Sequence, residues 1–165
     1  MEKDLTLDER MMDEALAEAE QAQGIGEVPI GAVVACDGQV VGRGHNRREI
    51  EHDPTLHAEI IALRDAARRL GRWRLSGCTV YCTVEPCMMC AGAMHLARID
   101  RVVYGVPDPK AGAVDTLYEV ARDRRLNHQF EVRAGVRAEQ SRTLLQEFFA
   151  SLRERGSEEA KEVPD

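Results

Sequence analysis

The chain has 165 residues, enough for one domain with a buried core, and its 44% hydrophobic and 31% charged residues are the balance of a globular protein. No apolar run approaches the ~20 residues of a membrane span, and the charged stretch 1–20 does not have the form of a secretory signal. The net charge of −7 is uneven: residues 1–27 carry −7, residues 156–165 carry −3 and the span between them carries +3, which leaves a polyanionic partner open to the middle of the chain.

From the N-terminus, Thr6 and Glu9 have the spacing of a capping box, and Met12, Ala15, Leu16 and Ala19 recur at helical spacing up to a stop at Gly24. Residues 30–36 and 39–44 predict two strands joined by Asp37-Gly38, a hairpin signal. Asp53-Pro54-Thr55 predicts a helix start, running to about Leu70 and stopped by Gly71. Residues 78–84 predict a buried strand, and Pro86 opens a helix to about Ala97. A short strand at 101–105 and a loop at 107–112 follow. A helix near 114–122, a strand near 130–133 and a long helix from Arg137 to about Arg155 complete the pattern. Residues 156–165 read as a disordered acidic tail. A hairpin followed by strands alternating with helices predicts an α/β fold: one domain over residues 1–155, three-layer α/β/α around a mixed central sheet.

The chemistry-bearing residues gather at two predicted helix starts, His57-Ala58-Glu59 and Pro86-Cys87-Met88-Met89-Cys90. Five cysteines, an odd number, suit a reduced cytoplasmic setting in which clustered cysteines hold metal more often than they form disulfides. Cysteines three apart in a first helical turn share one side, and a helix N-terminus favours their thiolates. Two thiolates and an imidazole suit Zn²⁺, and three protein ligands leave a fourth position for water, as in catalytic sites. Zinc brings the pKa of such a water to about 7, so hydroxide is available to attack a carbon bearing an amine. Glu59, two residues from His57, is placed to take a proton from that water and pass it to a ring nitrogen and then to departing ammonia. Each half alone is weak, since a lone Cys-x-x-Cys fits a redox or structural zinc site equally. A closed structural site needs a fourth ligand, for which Cys82, Cys78, Cys36 and His95 are the candidates; Met88 and Met89 read as core.

Together, and in this order, the two segments form the signature of zinc deaminases. The longer runs His52-Asp53-Pro54-Thr55-Leu56-His57-Ala58-Glu59 and Thr83-Val84-Glu85-Pro86-Cys87-Met88-Met89-Cys90-Ala91-Gly92-Ala93-Met94 resemble the bacterial tRNA-specific adenosine deaminases, as do Asn46, Arg101-Val102-Val103-Tyr104-Gly105, Asp108, Lys110, Gly112, Asn127-His128 and Phe148-Phe149. The resemblance spans residues 8–153 and implies a cytidine deaminase-like fold. It also implies a homodimer acting on the wobble adenosine (position 34) of a tRNA anticodon stem-loop, in bacteria chiefly an arginine tRNA, to give inosine. One zinc per subunit would be held by His57, Cys87 and Cys90, with Glu59 as the proton shuttle. Asn46 would hydrogen-bond the target base, and Asp108, Lys110, Asn127, Phe149 and Arg153 would touch flanking nucleotides.

The residues accommodate these roles without requiring them. An Asn amide can read a purine edge, but Asn46 is equally a turn residue after the hairpin. An aromatic can stack a splayed loop base, but Phe148 and Phe149 also suit core packing of the last helix. Arg68, Arg69, Arg72 and Arg74 beside Trp73 suit RNA or a solvated helix end. Pro107 and Pro109 flank Asp108 and stiffen its loop. Two other readings share the metal: a free-base or nucleotide deaminase of guanine or cytosine type, and a non-enzymatic structural zinc module.

Overall fold

The computed structural model describes residues 2–161. Its helices are α1 (Glu2–Gly24), α2 (Ala58–Leu70), α3 (Met88–Ala97) and α4 (Ala138–Lys161), and its strands are β1 (Gly31–Cys36), β2 (Gln39–His45), β3 (Cys78–Val84), β4 (Arg101–Val106) and β5 (Glu131–Arg133). The strands form one five-stranded sheet in the order β2-β1-β3-β4-β5. β1 is antiparallel to β2 and β3, whereas β4 is parallel to β3 and β5, so the sheet is mixed, as expected. The β1–β2 turn has positive φ at Asp37 (52°) and Gly38 (74°), as a two-residue type I′ hairpin requires.

Alternation along the strands explains the three layers. Ala32, Val34, Val80, Cys82 and Val102 pack with Ala58, Ala62 and Met94 of α2 and α3. Val33, Ala35, Tyr81 and Val103 pack on the other face with Met11, Met12 and Ala15 of α1. Covered on both faces, β1 and β3 are apolar almost throughout. Two glycines set how closely α2 approaches: a Cβ at Gly42 or Gly44 of β2 would collide with the α2 backbone around Ala62 and Ala58. β2 and β3 are both antiparallel to β1, so they run in the same direction. The helices that follow them, α2 and α3, therefore start at one edge of the sheet, and their N-termini meet there.

Four expectations are corrected. α1 is already helical at Glu2, which makes Thr6 an interior residue and not a cap; no helix breaker precedes it. α2 begins at Ala58, not near Asp53, because Asp53 Oδ1 accepts the backbone N–H (2.8 Å) and hydroxyl (2.7 Å) of Thr55 and holds 53–55 in a side-chain turn. The helix expected over 114–122 is a short 3₁₀ turn, Val120–Arg122, because the amides of Val114, Asp115 and Thr116 are taken by Glu85 and those of Leu117 and Tyr118 turn back to Gly112 O. α4 continues through 156–161 of the expected disordered tail, where Glu and Lys are good helix formers and Ser157 Oγ donates to Glu154 O (2.8 Å). Residues 162–165 lie outside the described residues.

One buried charge cluster ties the layers together. Asp8 of α1 is 1% exposed and accepts a bidentate pair from Arg101 of β4 (2.9 and 2.8 Å), a bond from Arg133 of β5 (2.6 Å) and the hydroxyl of Tyr81 of β3 (2.9 Å). Burial alone would raise the Asp8 carboxyl; the bonds from Arg101 and Tyr81 and the two guanidinium charges outweigh it and hold the group below the ordinary carboxylate range. Asp8→Ala strands two guanidinium groups and should cost about 3–5 kcal/mol in urea-induced unfolding at pH 7. The folded value lies below the unfolded one near 3.9, so Asp8 stabilises fully above about pH 4 and that contribution is lost as the pH falls through the folded value. The gap between wild type and D8A should therefore narrow only in that acid window. A gap constant down to pH 2 would refute this role for the Asp8 charge.

Candidate active site

The two helix starts bring four polar side chains together. His57 is the N-cap residue of α2 and Cys87 that of α3; both are extended (φ −76°, ψ 153° and φ −75°, ψ 177°), and neither side chain caps its helix. Their side chains are thus left for each other. His57 Nδ1 is 3.5 Å from Cys87 Sγ and 3.6 Å from Cys90 Sγ, and Cys90 Sγ is 3.0 Å from Glu59 Oε2. Zinc bonds of about 2.0–2.3 Å at tetrahedral angles put donor atoms about 3.5–3.8 Å apart, so these separations fit donors sharing one ion. Among the described residues, His57, Cys87 and Cys90 form the only group of three or more His, Cys, Asp or Glu donors able to hold a metal, and Glu59 is outside it.

The fourth-ligand candidates of a closed structural site lie elsewhere. Cys82 is wholly buried in β3 against Val103 O (3.7 Å), and burial pushes its thiol far up. Cys36 and Cys78 face each other across β1 and β3. His95, on α3, tilts against His128 with ring centres 6.2 Å apart.

Electrostatics within the group are strongly coupled. The hydrogen bond with Cys90, and then that with His57, draw the Cys87 thiol down to about 4; Cys90 is pushed up by Cys87 and by burial. The Cys87 contact raises His57. Glu59 is 4% exposed, and burial raises its carboxyl. A metal would relieve the competition of two thiols for one set of hydrogen bonds by taking both as thiolates.

The other expected site residues are distributed around this edge. Asn46 is buried; its Oδ1 accepts from Arg48 N (3.1 Å) and its amide reaches Val28 O (3.5 Å), so it does make the turn after the hairpin, next to the Arg47–Leu56 backbone bond that leads to His57. Asp108 and Lys110 are on a loop bridged to Cys87 through Gly112. Asp108 Oδ1 accepts the amides of Lys110 (3.0 Å) and Ala111 (3.2 Å), and Lys110 is exposed. Asn127, Phe149 and Arg153 are exposed, and no described hydrogen bond or ion pair joins them to the four central side chains. Phe148 is buried (6% exposed) while Phe149 is 44% exposed, so one phenylalanine packs the core and the other faces solvent. The arginines near Trp73 serve the helix end: Arg74 lies over the Trp73 ring (5.2 Å), Arg72 donates to Arg74 O and Ser76 O, and Arg69 pairs with Asp65.

Glu85, at the end of the strand that leads into Cys87, is a central residue of the region. It is 3% exposed, and its carboxylate gathers the amides of Asp108 (3.2 Å), Val114 (3.3 Å), Asp115 (3.0 Å) and Thr116 (3.0 Å) together with the Thr116 hydroxyl. Burial would raise it, but these donors hold it below the ordinary range. Its partners are mostly backbone amides of a loop more than twenty residues away, so the sequence carries no signal for this role.

A groove of about 430 Å³ beside Leu56 is lined by Arg43, Arg47, Arg64 and Arg68 together with Asp65 and Ile61. A larger groove of about 590 Å³ lies between α1 and α4, on the opposite face of the sheet, and its Asp13, Glu20, Glu139 and Glu147 repel a polyanion. Among the described residues no helix is long and apolar enough to cross a membrane.

Comparison with known proteins agrees with this geometry. Residues 5–106 match the family model for the cytidine and deoxycytidylate deaminase zinc-binding region. The chain is 46% identical to a tRNA-specific adenosine deaminase of Bacillus subtilis over 151 residues, covering 92% of this chain and 94% of that one. A solved structure from work on A-to-I editing by tRNA:A34 deaminases at the wobble position of transfer RNA superposes with a TM-score of 0.79 at 43% identity, covering 82% of this chain and 99% of that one. A guanine deaminase of Nitrosomonas europaea shares the fold (TM-score 0.76) at 22% identity, covering 86% of this chain and 84% of that one.

Proposed function

Because the chain belongs to the tRNA-specific adenosine deaminases, within the zinc-binding family of cytidine and deoxycytidylate deaminases, we propose that it hydrolyses the wobble adenosine (position 34) of a tRNA anticodon, chiefly of an arginine tRNA, to inosine and ammonia. The observation that carries the chemistry is the set His57 Nδ1, Cys87 Sγ and Cys90 Sγ, with separations of 3.5 and 3.6 Å from the imidazole, beside the buried Glu59. These three side chains would hold one zinc per subunit. When bound, the ion supplies a Lewis acid that activates water near neutral pH. Glu59 would take one proton from the attacking water and pass it to the purine ring nitrogen, then take the second from the hydroxyl now on C6 and pass it to the amine, which leaves as ammonia. Its burial keeps bulk water from competing for those protons.

Asn46 hydrogen-bonds the target base, and Asp108, Lys110, Asn127, Phe149 and Arg153 contact flanking nucleotides. The exposure of Phe149 supports it over Phe148 as the stacking ring. An anticodon loop base is already nearly unpaired, so extruding it costs little. The arginine groove beside Leu56 supports a phosphate-backbone approach. A homodimer is supported by an apolar groove on the outer face of α2 and α3, of about 270 Å³, formed by Ile60, Leu63, Ala93 and Leu96 next to Trp73, which is 64% exposed. Unpaired thiols and a tRNA substrate together support a cytoplasmic location.

The test is deamination of a synthetic anticodon stem-loop whose anticodon reads A-C-G. We expect inosine at the first anticodon position and no turnover of free adenine or guanine. Preferential turnover of a free base would replace this reading with a free-base deaminase.

A further inference from the structure

We propose, on the basis of that RNA reading, that Glu85 is a positioning residue: its buried carboxylate clamps the 107–116 loop to the strand end that leads into Cys87 and so sets where Asp108 and Lys110 meet the polynucleotide. One carboxylate holds both ends of the loop. Oε1 takes the amide of Asp108 at its entry (3.2 Å), and Oε2 takes the consecutive amides of Val114, Asp115 and Thr116 at its exit (3.3, 3.0 and 3.0 Å). The Thr116 hydroxyl completes the set on Oε1. At Gly112 a Cβ would run into this same carboxylate, so the loop closes directly onto it with no room for a side chain between.

The tip is held by bonds from Lys110, Ala111 and Gly112 back to Asp108, whereas the exit side is tied to the body a second time, by the Gly112–Cys87 bridge and by Ala113 N donating to Pro86 O (2.9 Å). Pro107 and Pro109 fix φ on either side of Asp108. The tip is thus built on Asp108, and among the described hydrogen bonds the one that ties the loop entry at Asp108 to the strand end is the bond from its amide to Glu85. Because Glu85 is two residues before Cys87, the clamp references the RNA-facing tip to the metal site.

Glu85→Gln separates this role from plain stability. The amide can keep its oxygen on the three amides at 114–116 and turn its NH₂ to the Thr116 hydroxyl, which can accept. The NH₂ then confronts the Asp108 N–H, donor against donor, so the substitution releases the loop entry while sparing the exit. For the anticodon stem-loop we expect KM to rise about tenfold, kcat to stay within about twofold, and zinc per chain to be unchanged. We also expect the dependence of KM on salt to become shallower by about one phosphate contact, as Lys110 disengages. If E85Q does not fold, Thr116→Val, which removes one hydroxyl donor, should give about a threefold rise in KM with the same split. Wild-type turnover of the stem-loop combined with unchanged KM and salt slope in the folded variant would overturn the role of Glu85, as would a loss confined to kcat in step with zinc content. Absence of stem-loop turnover by the wild type would instead overturn the RNA reading, and this proposal with it.

Discussion

Glu59→Ala is expected to lower deamination of the anticodon stem-loop by about 10²–10⁴-fold while zinc stays at one ion per chain. The geometry gives two reasons for separating these outcomes. The carboxylate is 3.0 Å from Cys90 Sγ but stands outside the His57, Cys87 and Cys90 donor group, so its removal takes no ligand away. It is also buried at the second position of α2, two residues after His57, from where it would face a water bound to the ion without itself being a ligand. Glu59→Gln should fail to the same degree, since an amide preserves the shape but cannot carry a proton from water to a ring nitrogen. Inosine release and elemental zinc analysis on the same preparations decide the matter. Normal turnover would refute the shuttle; loss of zinc along with activity would make Glu59 part of the metal site.

What could be read from the sequence was local. His57 and Cys87 stand at helix starts that Pro54 and Pro86 announce, the second directly after a strand end, and the hairpin at Asp37-Gly38 needs only two residues with positive φ. The mixed sheet follows from the hairpin and the alternation of strands and helices, although the order β2-β1-β3-β4-β5 does not. Asp8 was illegible because it is one of several acids on an acidic helix, and its partners Arg101 and Arg133 are 93 and 125 residues away. Glu85 was illegible in a different way: its partners are backbone amides, which carry no residue identity. The same contacts explain why 114–122 failed as a helix, since amphipathic spacing does not reveal that a distant carboxylate takes the amides. Among the residues expected to meet the substrate, exposure distinguishes Phe149 from Phe148, a distinction that two adjacent identical residues cannot express in sequence.

Removing a ligand should behave differently from removing the shuttle. Cys90→Ala is expected to lose zinc and all measurable deamination together, because Cys90 is fully buried and no described Cys or His stands ready as a substitute. A metal held by His57, Cys87 and Cys90 would also join α2 to α3, two helices whose starts meet at one sheet edge, so binding it would stabilise the fold. At free zinc about 1,000 times Kd this linkage is worth about 4 kcal/mol, or roughly 10 °C in Tm for a chain of this size. A chelator should therefore lower the Tm of wild type and of E59A by the same amount and leave that of C90A unmoved. Equal shifts would assign the ion to His57, Cys87 and Cys90 alone, with Glu59 acting on the substrate side of it. A smaller shift in E59A would show that the carboxylate binds the metal. A chelator shift in C90A equal to that of wild type would remove Cys90 from the site.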